Sequence, residues 1–417
     1  MIFFFDRYTE YAEKLQDTMR RMGRTAEIMV MEENGFLPDG ISSVYGYFLA
    51  RQQGKKRTEK DLPAAFLNVP EPWEICITGS RGTICYDGCE KASVYFVSGA
   101  GRNGLQRIEW YREDGRVRRT DFYGQNGLKY ASEFSGADGT AESKVFYAED
   151  GKEILMEWPQ NHTVVLLNHG ATEALFTSWA GFAESCMAKA HPEEKKVLYV
   201  QDQECLERLD IKPEEEKIWD QLLFADSGLL EQYRNAGGKD GCRFYAVPES
   251  YPDNSARGEA LILTASDRIE GIESLVSALE CVTFHIAAST QVSDKLCRLG
   301  ERKNVKVYPG AGAKLLETLW KQCDFYLDIN HYREIYDAVD TAHRNNLLIM
   351  GFEHTIHNRE LTADECVFAG QDSGKMVQTL QSLVDHPAEM KKRLAVQQHK
   401  KNSIWNRLLG PEKSMEE

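Results

Sequence analysis

The spacing of apolar residues along the chain changes period twice. At the start, Met1–Phe5 is an apolar run of strand length, Tyr8, Tyr11, Leu15, Met19 and Met22 recur at helical spacing, and Thr25–Met31 reads as a second strand. From 66 to 158 the chain turns to aromatic and β-branched residues, with turn signals every eight to twelve positions. That spacing predicts an antiparallel meander. After Asn161 the mixed pattern returns, with strands predicted at Val164–Leu167, Val197–Gln201, Leu222–Ala225 and Cys242–Val247 and a helix over Ala171–Ala190. Pro248–Arg257 reads as a linker. Beyond it, strand-length runs at 260–264, 282–286, 305–308, 325–329 and 347–350 alternate with helix-period segments at Ile269–Ala278, Ala313–Gln322 and Ile335–Arg344. Such alternation predicts an α/β fold whose parallel sheets are covered by helices and bind ligands at the carboxyl ends of their strands.

The meander holds an internal repeat, Ile108–Arg116 and Lys144–Lys152, separated by 36 residues. Asp114-Gly115 and Asp150-Gly151 supply the positive φ values of tight hairpin turns. Two copies are too few for a propeller, so one large sheet is expected.

Charge and composition narrow the functions. A net charge of −15 and a pI of about 5.3 argue against a nucleic-acid partner. No apolar run approaches the ~20 residues of a membrane span, and Met1–Phe5 is too short for a signal peptide. Ten cysteines scattered through core-like segments fit free thiols in a cytoplasmic chain. Cys85-Tyr86-Asp87-Gly88-Cys89, with Cys76 nearby, lacks the second knuckle of a zinc site, so neither metal nor cofactor is expected. Lys391-Lys392-Arg393 and Lys400-Lys401 read as a solvated helix face, with peripheral contact to an anionic membrane as the alternative.

Gly99-Ala100-Gly101-Arg102-Asn103-Gly104 matches GxGxxG, but Leu105–Tyr111 alternates like a strand, and without a following helix there is no dipole for a phosphate. Tyr308–Lys314 reads as a βα turn. His343, His354 and His357 with Glu353 read equally as a functional group or as structural histidines.

The stretch Leu263-Thr264-Ala265-Ser266-Asp267-Arg268-Ile269-Glu270-Gly271-Ile272 carries a more specific signal. With its flanking elements it resembles the C-terminal domain of retaining GT-B glycosyltransferases. In that family the first strand ends in Gly-Arg and a Lys-Gly then opens the helix, the two cations neutralising the diphosphate of a sugar nucleotide. Aligned on Gly271-Ile272, the Arg position is Ala265 and the Lys position is Glu270. The family's two signature glutamates fall at Arg333, beside Glu334, and at Thr341. A carboxylate at the Lys position repels a diphosphate. The resemblance therefore implies two Rossmann-like domains, 1–65 with 159–250 and 258–417, an inserted antiparallel β-sheet domain at 66–158, and a degenerate donor site at Ala265, Glu270, Arg333 and Thr341.

Across the whole chain, Glu33-Asn34-Gly35-Phe36-Leu37-Pro38-Asp39, Ile41–Phe48, Pro72-Trp73-Glu74-Ile75, Cys323–Asn330 and Phe352-Glu353-His354-Thr355-Ile356-His357 resemble the GtfB family of glycosylation chaperones of the accessory Sec system. The resemblance implies a non-catalytic subunit that pairs with a catalytic GtfA-type glycosyltransferase. It also implies binding of unglycosylated Ser/Thr-rich adhesin while the first N-acetylglucosamine is added. Asn330, His331, Tyr332, Glu353 and His354, at strand ends, are the expected acceptor-binding residues. Trp73, Trp110, Tyr111, Phe122, Tyr123 and Phe146 of the insertion are the expected partner contacts, and the insertion is expected to be removable without unfolding the α/β halves. An active transferase using UDP-GlcNAc and a lectin-like glycan-binding module are the alternatives.

Overall fold

The structure, a computed structural model, describes residues 1–52, 71–78, 81–97, 104–168, 170–208, 218–238, 241–370 and 372–409. They form two compact units, Met1–Phe244 and Tyr245–Glu417. Of the glycine motif 99–104, only Gly104 lies among the described residues, where it opens the strand Gly104–Tyr111.

The first unit is built on a six-stranded sheet in the spatial order 241–243, 221–224, 196–200, 2–5, 27–30, 41–43, all pairs parallel. Counted along the chain, this order is 3-2-1-4-5-6, the doubly wound arrangement. Its central strand Ile2–Phe5 is buried at every position, as a strand covered on both faces must be.

Between the third and fourth strands the chain forms a ten-stranded antiparallel sheet, each strand paired with the next from Glu74–Thr78 to Ala171–Phe176. It therefore runs past the expected border at 158, and Val164–Leu167 belongs to it instead of to a parallel sheet. The predicted helix over Ala171–Ala190 is half wrong for the same reason. Ala171–Phe176 pairs with Thr163–Asn168, and the helix starts only at Trp179, where the Ser178 side chain accepts from Gly181 N–H. Strand pairing overrides the helix propensity of Ala, Glu and Leu here.

The repeat is finer than two copies. Gly115, Gly127, Gly139 and Gly151 all take positive φ, at 81°, 72°, 87° and 82°. Each donates its N–H to the carbonyl three residues back, at 3.1, 2.8, 3.1 and 2.8 Å. Four hairpin turns thus recur with a twelve-residue period, the middle two carrying Asn126-Gly127 and Asp138-Gly139.

The sheet is not a separable module. Phe146, 1% exposed, stacks on Tyr45 with centroids 4.4 Å apart, and Ala131, Ile154, Leu155, Val164 and Leu166 share one core with Phe48, Phe182 and Leu198 of the α/β part. This overturns both the expected partner role of Phe146 and the expectation that the insertion can be removed cleanly.

The second unit repeats the doubly wound order with strands 305–308, 283–288, 259–264, 325–328, 348–352 and 367–368, again all parallel. Apolar clusters line its two faces. The expected linker is docked on this unit: Asn254 donates to the carbonyls of Asp324 (2.9 Å) and Asn346 (2.8 Å), and Arg257 N–H donates to the Asp324 carboxylate at 2.7 Å. The helix Pro387–Leu409 packs back on the sheet, its buried Gln397 accepting from Ile349 N–H and donating to the Leu347 carbonyl. Lys401 is fully buried against Asp340, and Lys400 pairs with Asp364 at 2.8 Å, so these two lysines do not belong to a solvated face. Among the described residues no helix is long and apolar enough to cross a membrane.

Candidate functional site

In a doubly wound sheet the first and fourth strands are neighbours whose connections leave in opposite directions, which opens a crevice at their carboxyl ends. In the second unit these are Glu259–Thr264 and Phe325–Asp328. A pocket of about 660 Å³ opens there, lined by Ala265, Ser266, Ser289, Tyr332, Arg333 and Tyr336 among others. The two strand-end loops are stitched together. Ile269 bridges Asn330, Glu270 N–H donates to the Ile329 carbonyl at 2.8 Å, and His331 N–H donates to Arg268 at 3.2 Å. Buried Asn330 accepts from Tyr332 N–H at 3.0 Å, which turns the chain toward the pocket. Tyr332 and Tyr336 are 49% and 62% exposed. Tyr336 and Asp337 both take positive φ, 54° and 49°, a costly backbone for side chains other than glycine.

Two histidine groups hold this rim. His357 donates its backbone N–H to Asp328 Oδ2 at 2.7 Å, places Nδ1 2.6 Å from Asp328 Oδ1, and bonds the Tyr332 carbonyl through Nε2. Burial opposes its charged form, but the Asp328 carboxylate and that carbonyl outweigh it and raise the His357 pKa to about 9. Beside it, Glu270 Oε2 lies 2.6 Å from His331 Nε2 and 3.5 Å from His354 Nε2. Desolvation pushes the Glu270 pKa up, but hydrogen bonds and charge from the two imidazoles hold it below the ordinary value.

The corresponding crevice in the first unit is occupied by the chain's own charges. Asp6 follows the central strand and is fully buried; burial raises its pKa despite Gln201, Arg7 and Arg208. Arg7 pairs with Asp6 at 2.5 Å and with Asp202, and Gln201 donates to Asp6 and to the Arg7 carbonyl. Arg208 pairs with Glu32 at 2.5 Å and lies over Trp179. This network was not among the residues expected from the sequence. Its signal was there, a charged pair, Asp6-Arg7, placed directly after an all-apolar strand.

Three family models match the chain in order: the GtfB N-terminal domain over 2–48, the GtfB middle domain over 73–177 and the GftB/GlyA-F C-terminal domain over 260–397. The stabilizing protein GtfB of the UDP-N-acetylglucosamine–peptide N-acetylglucosaminyltransferase from Streptococcus gordonii is 29% identical over 97% of this chain and 96% of its own length. The chain belongs to the GtfB family. The pneumococcal GtfB is 28% identical over 97% of both chains. Among solved structures, the crystal structure of a GtfA/B complex bound to UDP and GlcNAc matches with 26% identity and a TM-score of 0.48, covering 98% of this chain and 99% of that one. Two doubly wound sheets are the parts of the GT-B architecture, to which this chain adds an inserted antiparallel sheet.

In this GtfB homologue the donor positions inferred from sequence separate. Ala265 and Arg333 line the pocket, and Glu270 is engaged by His331 and His354. Thr341 lies on the helix Ala338–Arg344, accepting from Arg344 at 3.2 Å, and is not part of the pocket lining. Of the expected acceptor residues, Tyr332 faces the pocket, Asn330 braces the turn, and exposed Glu353 is tied through its backbone to Phe368.

On the sheet, Trp73 stacks on Tyr86 at 5.8 Å and reaches Trp110 at 6.4 Å. Trp110 donates to Asp121 at 2.8 Å, and Tyr123 packs beside the same apolar cluster. Tyr111 is half-buried, and Phe122 packs on the core shared with the α/β part. Tyr86, 42% exposed, is an addition to the expected set. The cysteines are all free, and among the described residues the groups placed to hold a metal ion are Glu270–His331–His354 and Glu27–His191–Glu194, not the Cys76–Cys85–Cys89 trio.

Proposed function

We propose that this chain is the non-catalytic, stabilising subunit of a protein O-GlcNAc transferase. In this reading it pairs with a catalytic GtfA-type glycosyltransferase and holds the unglycosylated Ser/Thr-rich acceptor while the first N-acetylglucosamine is added. The observation that carries the proposal is the state of the second unit's crevice. Its 660 Å³ pocket presents Ala265, two tyrosines and, among the described residues, a single cation, Arg333, next to Glu334, and the carboxylate of Glu270 stands beside it. A sugar-nucleotide diphosphate needs clustered cations there. A polypeptide rich in hydroxyls and amides needs hydrogen-bonding and aromatic surface instead. Full-length kinship with relatives that carry the name of stabilizing proteins supports the same reading.

The finer assignment places the complex in accessory Sec export, with a serine-rich repeat adhesin as acceptor and the complex on the cytoplasmic face of the membrane. A low-complexity acceptor is disordered and has to be held along its length while many hydroxyls react. A second subunit tethered to the catalytic one raises the acceptor's local concentration without new chemistry. The decisive experiment is to purify the chain alone and with its catalytic partner, and to supply each with radiolabelled UDP-GlcNAc and a Ser/Thr-rich peptide. Transfer by the pair and none by the chain alone is expected. Transfer by the chain alone overturns the proposal.

A further inference from the structure

Three side chains from three different strand ends converge beside the pocket of the second unit. Glu270 comes from the loop after Glu259–Thr264, His331 follows Phe325–Asp328, and His354 follows Leu348–Phe352. Both imidazoles present Nε2 to the same carboxylate oxygen, at 2.6 and 3.5 Å, with the rings 5.5 Å apart. We propose that Glu270, His331 and His354 form a binding site for a divalent transition-metal ion of the zinc class.

The chemistry of the donor set selects that class. Two imidazoles and one carboxylate suit zinc and its borderline neighbours, whereas calcium and magnesium take oxygen ligands. Around a tetrahedral ion with ligand bonds of ~2.0–2.2 Å, donor atoms stand about 3.3–3.6 Å apart. The Glu270–His354 pair at 3.5 Å already has that spacing. The Glu270–His331 contact, 2.6 Å as a hydrogen bond, has to open by roughly 0.7 Å as the ion replaces its proton.

The scaffold is prepared for this. The backbone bridge between Ile269 and Asn330 fixes Glu270 and His331 opposite each other, and His354 stacks over Phe352 at the end of a buried strand. The His354 ring also lies close against Gly370, where an added Cβ would come within 2.8 Å of Nδ1. Partial exposure of all three side chains, 33%, 34% and 41%, leaves a path for the ion and a fourth position for water or a ligand group. One negative ligand against two positive charges gives the occupied site a net positive charge next to Tyr332 and the pocket. The proposal shares Glu270 with the reading above, whose repulsion of a diphosphate holds for the metal-free chain, and the metal titration below tests it apart from transfer activity.

The test uses the full chain, stripped of metal by a chelator and dialysed. Titration with cobalt(II) should give one equivalent bound, with the visible absorption of a tetrahedral nitrogen–oxygen site, and zinc should displace it. Glu270→Gln and His354→Gln should each weaken zinc binding at least ten-fold by calorimetry, with unchanged circular dichroism. His354 is exposed, so its variant decides the matter if Glu270→Gln does not fold. Binding that is substoichiometric overturns the proposal, as does equal affinity in the variants. A cobalt spectrum dominated by thiolate charge transfer puts the ion on the cysteines and overturns it too.

Discussion

His357 clamps the buried carboxylate of Asp328 with both its backbone N–H and its imidazole, at 2.7 and 2.6 Å, while the far side of the ring holds the Tyr332 carbonyl. One side chain therefore ties the end of a central strand to the loop that carries the exposed tyrosines of the pocket.

This clamp gives stability a defined pH dependence. The folded pKa of about 9 lies above the ordinary value of 6.5. The contribution is therefore complete below about pH 6.5 and is lost as pH rises through about 9. At about 1.4 kcal/mol per unit, the difference amounts to about 3 kcal/mol. Urea unfolding at pH 6 and pH 10 should show wild type losing more stability than His357→Asn over this interval. Parallel losses in the two proteins would show that the imidazolium does not brace the fold.

Phe146 and Trp73 should behave in opposite ways. Phe146 fills the core between the sheet and the α/β part, so Phe146→Ala should cost about 3–5 kcal/mol and lower the melting temperature of the isolated chain. The Trp73–Tyr86 pair is half-buried to exposed on the sheet's other apolar cluster. Alanine at both positions should leave stability nearly unchanged and weaken co-purification with the catalytic partner at least ten-fold, as aromatic anchors do. A partner complex of wild-type affinity would remove these residues from the interface.

The contrast also shows what the sequence carried. Strand-length apolar runs such as Leu261–Leu263 and Phe325–Leu327 located the second sheet because strands buried on both faces are apolar throughout. The twelve-residue period was half visible, since Asp-Gly stands out at 114–115 and 150–151 while the intervening strands differ in sequence. Which face of the meander is covered was not legible. Phe122 and Phe146 look like Trp73 and Trp110 in sequence, and only the docking of the helices near Tyr45 and Phe182 separates them. Glu270 was legible as a misplaced charge, but its partners lie 61 and 84 residues away and meet it only when three strand ends come together.

The isolated, metal-free chain should bind UDP-GlcNAc weakly or not at all. Ala265 offers the diphosphate a methyl group, and Glu270 brings a negative charge near it. Each missing charge-assisted contact costs roughly 1.5–3 kcal/mol. Two such losses weaken binding by roughly 10²–10⁴-fold. Calorimetry returning a micromolar dissociation constant for the isolated chain would count against this.

Acceptor binding should depend on Tyr332 and His354. Tyr332 is turned into the pocket by Asn330 and held through its carbonyl by His357, so its ring is presented on a braced backbone. An unglycosylated Ser/Thr-rich segment carries little charge, and the chain's own net charge of −15 gives it no electrostatic pull on such a ligand. Affinity should therefore change little between low and high salt. Tyr332→Ala combined with His354→Ala should weaken peptide binding about ten-fold or more and slow glycosylation by the complex, while assembly with the catalytic partner stays intact. His354→Gln alone separates the roles of the two residues, since it removes the proposed metal ligand and leaves the tyrosine in place. If the double variant binds peptide and supports glycosylation at wild-type level, the acceptor is held elsewhere and the pocket of the second unit is not its site.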